Sequence, residues 1–182
     1  MPDRRGERPE ARAQTLAERV VKSLGARKKT IAAAESCTAG LASDLIARVP
    51  GASAVFWGSY VAYTIDAKIT MLGIPEELIR MHGAVSRPVA LAMAEGALEK
   101  SGASWAFSIT GLAGPGGDEN GTPVGTVWIG LACRGGFPRS EAKMFHFSGR
   151  RNEVRKAAAA AALEELLIKI EPEDIDKEER KY

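Results

Sequence analysis

Apolar residues recur along this chain with two different periods, and the alternation between them outlines a fold. In residues 11–24, Leu16, Val20, Val21 and Leu24 share one helical face, and Gly25 is placed to close that helix. Residues 30–35 form an apolar run of the length of a buried strand, although its three alanines favour strands poorly. Residues 41–49 read as a helix stopped by Pro50-Gly51. Residues 54–64, rich in Val, Phe, Trp and Tyr, read as a strand. A short helix follows at 66–72, with Gly73 after it and Pro75 opening the next. Ser86-Arg-Pro has the form of a helix start, serine as N-cap and proline in the first turn, for a helix reaching Lys100 and followed by Gly102.

Residues 105–109 are the next strand, and 110–123 are a glycine- and proline-rich loop. Two strands, 124–133 and 140–147, are joined closely enough to pair antiparallel. An alanine-rich helix at 151–170 ends the pattern. Helices and strands that alternate early, with a hairpin late, predict an α/β layered domain with a mixed sheet. Residues 1–10 are polar and charged enough to be disordered, and 171–182 read as a charged, solvated tail.

Composition narrows the functional classes. The 182 residues suit a single domain with a sizeable core. A net charge of +2 leaves no electrostatic footprint for nucleic acid. Two cysteines, Cys37 and Cys133, make neither a disulfide framework nor a zinc site, and His82 and His146 stand in no metal-ligating spacing. No apolar run reaches the roughly 18 residues needed to span a membrane. The Arg-rich start is mixed with acids and has no apolar signal core behind it, so a cytoplasmic location is expected.

Three groups of residues carry candidate chemistry. Residues 32–40 read Ala-Ala-Ala-Glu-Ser-Cys-Thr-Ala-Gly and put Ser36 between a strand and a helix, where a hydroxyl is exposed near free backbone N–H groups. A serine there also serves simply as an N-cap. Lys68 follows 32 residues later, with Tyr60 and Tyr63 before it. A serine needs a base to become a nucleophile, and no histidine is arranged for it. Lysine can serve if burial or a nearby cation brings its pKa, ordinarily about 10.4, down by about three units. The alternatives are a solvated Lys68 and a core-packing Tyr63. The third group is the loop 111–117, five of whose seven residues are Gly or Pro, with Arg150, Arg151 and Arg155 as electrostatic partners. Such a loop can cradle an anion, but it matches neither a P-loop nor a dinucleotide fingerprint.

In order along the chain, these segments resemble the nicotinamide mononucleotide amidohydrolase family, the CinA C-terminal domain. The matching stretches are Ala-Glu-Ser-Cys-Thr-Ala-Gly at 34–40, Val-Ala-Tyr-Thr-Ile-Asp-Ala-Lys at 61–68 with Leu-Gly-Ile-Pro at 72–75, and His-Gly-Ala-Val-Ser at 82–86. Thr-Gly-Leu-Ala-Gly-Pro-Gly-Gly at 110–117, Pro-Val-Gly-Thr-Val at 123–127 and Phe-Ser-Gly-Arg-Arg-Asn-Glu-Val-Arg at 147–155 complete the set. The resemblance implies a single α/β/α domain over 11–170 that hydrolyses the carboxamide of nicotinamide mononucleotide to nicotinate mononucleotide and ammonia. It implies a Ser36–Lys68 catalytic dyad assisted by Tyr63, without metal or cofactor. The Cys37 and Thr38 N–H groups at the helix start are then expected to hold the oxyanion. Thr110, Gly111, Gly114, Gly116, Gly117 and Arg151 are expected to hold the nucleotide, with Arg150 the alternative arginine.

The family also implies a homo-oligomer, and the chain resembles its stand-alone form, without the extra N-terminal domain many relatives carry. Two departures are visible. Ala39 stands where the family has a glycine, and Ile65-Asp66 where it has Asn-Glu. The second touches the choice of substrate or the support of Lys68. Rival readings are an amidase for another small amide, a non-catalytic nucleotide-binding module, and a DNA-uptake accessory, against which the near-neutral charge counts.

Overall fold

A computed structural model describes residues 9–118, 121–135 and 139–171. The elements run α1 (Pro9–Ala26), β1 (Ile31–Glu35), α2 (Leu41–Ala47), β2 (Phe56–Val61), α3 (Ile65–Leu72), α4 (Glu76–His82), α5 (Arg87–Ser101), β3 (Trp105–Gly111), β4 (Thr126–Cys133), β5 (Ser140–His146) and α6 (Arg151–Ile170). A short 3-10 turn, Ala52–Ala54, precedes β2. The five strands form one sheet in the order β2-β1-β3-β4-β5. β1 pairs in parallel with both β2 and β3, and β4 pairs antiparallel with β3 and β5. This is the expected mixed sheet.

Two apolar layers cover it. On one face α1, α2 and α6 pack Leu16, Val20, Leu24, Ile46, Val154, Leu163 and Leu166 against Ile31, Ala33, Phe107 and Ile109. On the other, Leu72, Ile79, Val89, Met93 and Leu98 of α3, α4 and α5 meet Ala32, Ala34, Ala106 and Ala132. Each fully buried Leu or Ile contributes about 1.5–3 kcal/mol. The alanines of β1 find their reason here. A central parallel strand is covered on both faces, and every residue of β1 is buried. Small side chains there let the helices approach the sheet closely.

The helix ends largely follow their signals. Ser86 Oγ accepts from the Val89 N–H, and Gly73 and Gly102 close α3 and α5 in the left-handed conformation. Gly25 does not close α1: the helix continues to Ala26, and the chain turns at Lys28 with a positive φ of 50°. The Thr110–Gly111 pair belongs to β3 rather than to the loop.

At the chain ends α1 starts at Pro9, two residues earlier than its pattern suggested. The expected disordered segment otherwise lies outside the described residues, as does most of the expected tail. Glu171, the first residue of that tail, is buried, accepting from the Ser23 hydroxyl and from Arg19 Nη2 at 2.7 Å. Among the described residues no helix is long and apolar enough to cross a membrane.

Candidate active site

Strand order sets the location. β1 lies between two parallel neighbours, so the chain leaves it toward β2 on one side and reaches β3 on the other. Crevices form at the carboxyl ends of strands where the order reverses in this way. Ser36 directly follows β1, Ala62 and Tyr63 follow β2, and Thr110 and Gly111 end β3.

Ser36 is buried to 7% exposure, and its N–H donates to Ile109 O at 2.9 Å, which stitches the turn to β3. The turn 37–40 precedes α2, whose N-cap is Gly40. Cys37 and Thr38 therefore do not stand at the helix start, as the sequence suggested. The start of α2 is occupied by Glu35, whose fully buried carboxylate accepts from the N–H groups of Gly40 (3.0 Å), Ala42 (3.2 Å) and Ser43 (2.8 Å). The Ser43 hydroxyl adds a fourth bond at 2.5 Å. A carboxylate on the first helical amides satisfies orphan donors and complements the dipole. The strand-to-helix junction is thus held from within by the residue just before the serine.

Lys68 comes from α3. Gly96 lets that helix sit against α5, because a Cβ there would lie 2.4 Å from Leu72 O. Lys68 is only 2% exposed, and its Nζ lies 2.8 Å from Ser36 Oγ. It also reaches Ala62 O at 2.9 Å and Tyr63 O at 3.4 Å. Burial brings the lysine down from 10.5 to about 8. A Cys37 thiolate would oppose that, but burial pushes this thiol up to about 11, so it is neutral and lends little. With a pKa near 8, about a tenth of the lysine is neutral at pH 7. Carbonyl oxygens only accept. In the neutral amine the two carbonyls therefore take the two N–H groups, and the lone pair is left facing the Ser36 hydroxyl.

Tyr63 meets two groups of the site. Its backbone carbonyl, not its ring, reaches Lys68. The ring is 49% exposed, and its hydroxyl accepts from Arg151 Nη2 at 2.6 Å. Arg151 Nη1 donates to Gly114 O at 2.6 Å, so one guanidinium ties the end of β2 to the glycine loop. Arg150 enters through its backbone, its N–H donating to Glu153 Oε2 at 2.6 Å. Of the adjacent arginines, Arg151 is the one that joins the cluster.

Thr110 donates its hydroxyl to Ala84 O at 2.8 Å, anchoring the 82–86 stretch to the end of β3. A Cβ at Gly111 would meet Val127 Cγ2 at 2.7 Å, and Gly114 has a φ of 84°, so sheet packing and backbone shape set these two glycines. Gly116 has open space around it, and a Cβ at Gly117 would make only an ordinary contact, 3.7 Å from Thr122 O.

Arg155, read from the sequence as a partner of the glycine loop, lies against the serine turn instead. Its Nε donates to Cys37 O at 3.0 Å and its Nη2 to Thr38 O at 2.8 Å. Sequence reasoning gave no role to Glu35 and did not link Arg155 to the serine turn. Arg155 lies four residues after Arg151 on α6, hence on the same helix face, and that spacing was the available signal. The Ile65-Asp66 departure does not touch the support of Lys68, whose partners come from Ser36, Ala62 and Tyr63. Ile65 is 52% exposed at the first position of α3.

Fold and site together define a three-layer α/β protein with a buried serine–lysine pair at the carboxyl ends of its parallel strands. The model of the CinA C-terminal domain matches residues 13–170, and the chain belongs to that family. It is 46% identical over 153 residues to the nicotinamide-nucleotide amidohydrolase PncC of Escherichia coli K12, covering 83% of this chain and 90% of that protein. It is 48% identical over 153 residues to a CinA-like protein of Akkermansia muciniphila, covering 84% of this chain but 36% of the relative. The chain thus spans about a third of such longer relatives. Among solved structures, the competence/damage inducible protein CihA of Agrobacterium tumefaciens superposes with a TM-score of 0.81 at 38% identity, over 92% of this chain and 98% of that one. The CinA superfamily protein of Klebsiella pneumoniae 700603 gives 0.83 at 33% identity, over 87% and 97%.

Proposed function

We propose that this chain is a nicotinamide-nucleotide amidase that hydrolyses the carboxamide of nicotinamide mononucleotide, with Ser36 as nucleophile and Lys68 as its base. The observation that carries the reading is the buried Lys68 Nζ, 2.8 Å from Ser36 Oγ and oriented by two carbonyls. Resemblance to the E. coli amidohydrolase over 90% of its length supports the substrate class.

Neutral Lys68 takes the Ser36 proton as Oγ attacks the carboxamide carbon. The Cys37 and Thr38 N–H groups receive the oxyanion. The tetrahedral adduct collapses, Lys68 returns the proton to the departing nitrogen, and ammonia leaves. Water then attacks the acyl-serine by the reverse route, with Lys68 again as base, and releases nicotinate mononucleotide. The glycine loop through Gly114, Gly116 and Gly117, together with Thr110, Gly111, Arg151 and the Tyr63 hydroxyl, forms the wall where the ribose phosphate is held. Binding energy there positions the amide at Ser36.

A panel of amides scored by ammonia release tests the substrate. Nicotinamide mononucleotide is expected to exceed nicotinamide and nicotinamide riboside by at least about 100-fold in kcat/KM, because both lack the phosphate handle. Equal rates across the panel contradict the nucleotide reading and leave a general amidase. Exposed Ile65, at a position where the family differs, is the place to look in that case.

A further inference from the structure

Three consecutive peptide planes follow the nucleophile, and a separate bond holds each of their carbonyls. Ser36 O accepts from the Ala39 N–H at 3.0 Å. Cys37 O accepts from Arg155 Nε at 3.0 Å, and Thr38 O from Arg155 Nη2 at 2.8 Å. The third branch of that guanidinium, Nη1, is itself held by Asn152 Oδ1 at 3.1 Å. In a trans peptide the N–H points opposite to the C=O. Fixing Ser36 O therefore aims the Cys37 N–H, and fixing Cys37 O aims the Thr38 N–H. Among the described residues neither of these two N–H groups has a carbonyl or carboxylate acceptor, although the turn is buried. The Thr38 hydroxyl, in a residue with no exposure, also lacks a partner. Buried donors without acceptors cost about 1–3 kcal/mol each and are kept where a ligand completes them.

The Glu35 carboxylate occupies the Gly40, Ala42 and Ser43 amides at the start of α2, and from that helix the Leu41 N–H, 3.3 Å from Thr38 O, is what reaches the turn. The task of aiming the donors falls to the fork from α6. We propose that Arg155 is a positioning residue for acyl transfer: from behind the turn, it fixes the peptide that carries the Thr38 N–H directly, and the Cys37 N–H indirectly, by fixing the peptide whose Ala39 N–H holds Ser36 O, so that both donors face the substrate carbonyl oxygen. The inference rests on the acyl-transfer reading of Ser36, and it adds a requirement for a planar two-pronged cation on α6. The charge-assisted bond to Cys37 O also polarises that peptide and strengthens the Thr38 N–H as a donor, and the bond to Thr38 O does the same for the Ala39 N–H that holds Ser36 O. Lysine, a single point charge, cannot reproduce the fork.

The test compares wild type with Arg155→Lys and Arg155→Ala on two substrates, nicotinamide mononucleotide and p-nitrophenyl acetate. Folded protein is quantified by thermal melting. Loss of one oxyanion donor costs about 100- to 1,000-fold in kcat, and loosening two is expected to cost about 30- to 300-fold. The expected result is that loss in kcat for both variants on both substrates, with KM within about threefold of wild type. Added guanidinium at millimolar concentration should restore part of the rate to Arg155→Ala. Should the alanine variant not fold, Arg155→Lys carries the same prediction.

A kcat within about twofold of wild type in Arg155→Lys on both substrates overturns the inference. So does a loss confined to KM. Wild type that acetylates Ser36 from the ester but releases no ammonia from the nucleotide removes the substrate reading alone, and the ester series still decides Arg155.

Discussion

Lys68 is the residue on which chemistry and stability pull apart. Its pKa in the fold is about 8, against 10.5 in an unfolded chain, so the fold penalises its charged form. That penalty is fully present below pH 8, shrinks as pH rises from 8, and is gone near 10.5. A difference of 2.5 units corresponds to about 3 kcal/mol. Lys68→Met fills similar volume without a charge. It should abolish turnover and raise unfolding free energy by about 1–3 kcal/mol at pH 7, read from urea melts. An unchanged or lower midpoint contradicts the assigned cost. At Glu35 four hydrogen-bond donors converge on a buried carboxylate. Glu35→Gln sets an NH2 against those donors and should cost about 2–4 kcal/mol in the same assay.

Ala39 is the residue-scale departure from the family with a visible consequence. It holds a φ of 50°, a conformation that costs a non-glycine residue about 1–2 kcal/mol. Ala39→Gly relieves that strain but loosens the unfolded chain by about 0.4–1 kcal/mol. A stability within about 1 kcal/mol of wild type, with activity kept, is expected. A loss above about 2 kcal/mol would show that the methyl group packs productively in the turn.

At the scale of elements, the site depends on how closely α3 approaches α5. Gly96 has no room for a Cβ against Leu72 O. Gly96→Ala must push α3 outward, and Lys68 rides on α3. The variant should lose about 1–3 kcal/mol of stability. Its kcat should fall by at least about tenfold, because displacing a reacting group by 1 Å can cost about 100-fold. Full activity in a folded Gly96→Ala protein would mean that Lys68 keeps its place independently of this contact.

Most elements were legible because their signals are local: Ser86 capping α5, Gly73 and Gly102 closing helices, Pro50-Gly51 ending α2. The stop at Gly25 misled: α1 runs two residues past Leu24, to Ala26, and the chain turns at Lys28 instead. The reach of Arg155 to the serine turn was not legible, since 118 positions separate it from Cys37 and only the fold brings them together. The bond between the Tyr63 hydroxyl and Arg151 was not legible for the same reason, as 88 positions separate the two.

At the scale of the whole molecule, the parallel strands bring three distant segments together at their carboxyl ends, and α6 adds two arginines of separate duty. Arg151 braces the loop and tyrosine wall, and Arg155 braces the serine turn. Truncation should separate these duties. Arg151→Ala should raise KM for nicotinamide mononucleotide by about 10-fold or more while leaving the rate on p-nitrophenyl acetate near wild type, because the acetyl ester has no phosphate to hold. Equal losses on both substrates contradict a substrate-holding role for Arg151.

The pairing of Ser36 with neutral Lys68 is tested most directly by ammonia release from nicotinamide mononucleotide across pH 6–10, for wild type and Ser36→Ala. The account predicts that wild-type kcat/KM climbs about tenfold per pH unit below a pKa near 8 and levels off above it. It predicts that Ser36→Ala loses at least about 1,000-fold while still binding the nucleotide. A flat wild-type profile through pH 8, or a Ser36→Ala protein that turns over at a near-wild-type rate, would contradict it.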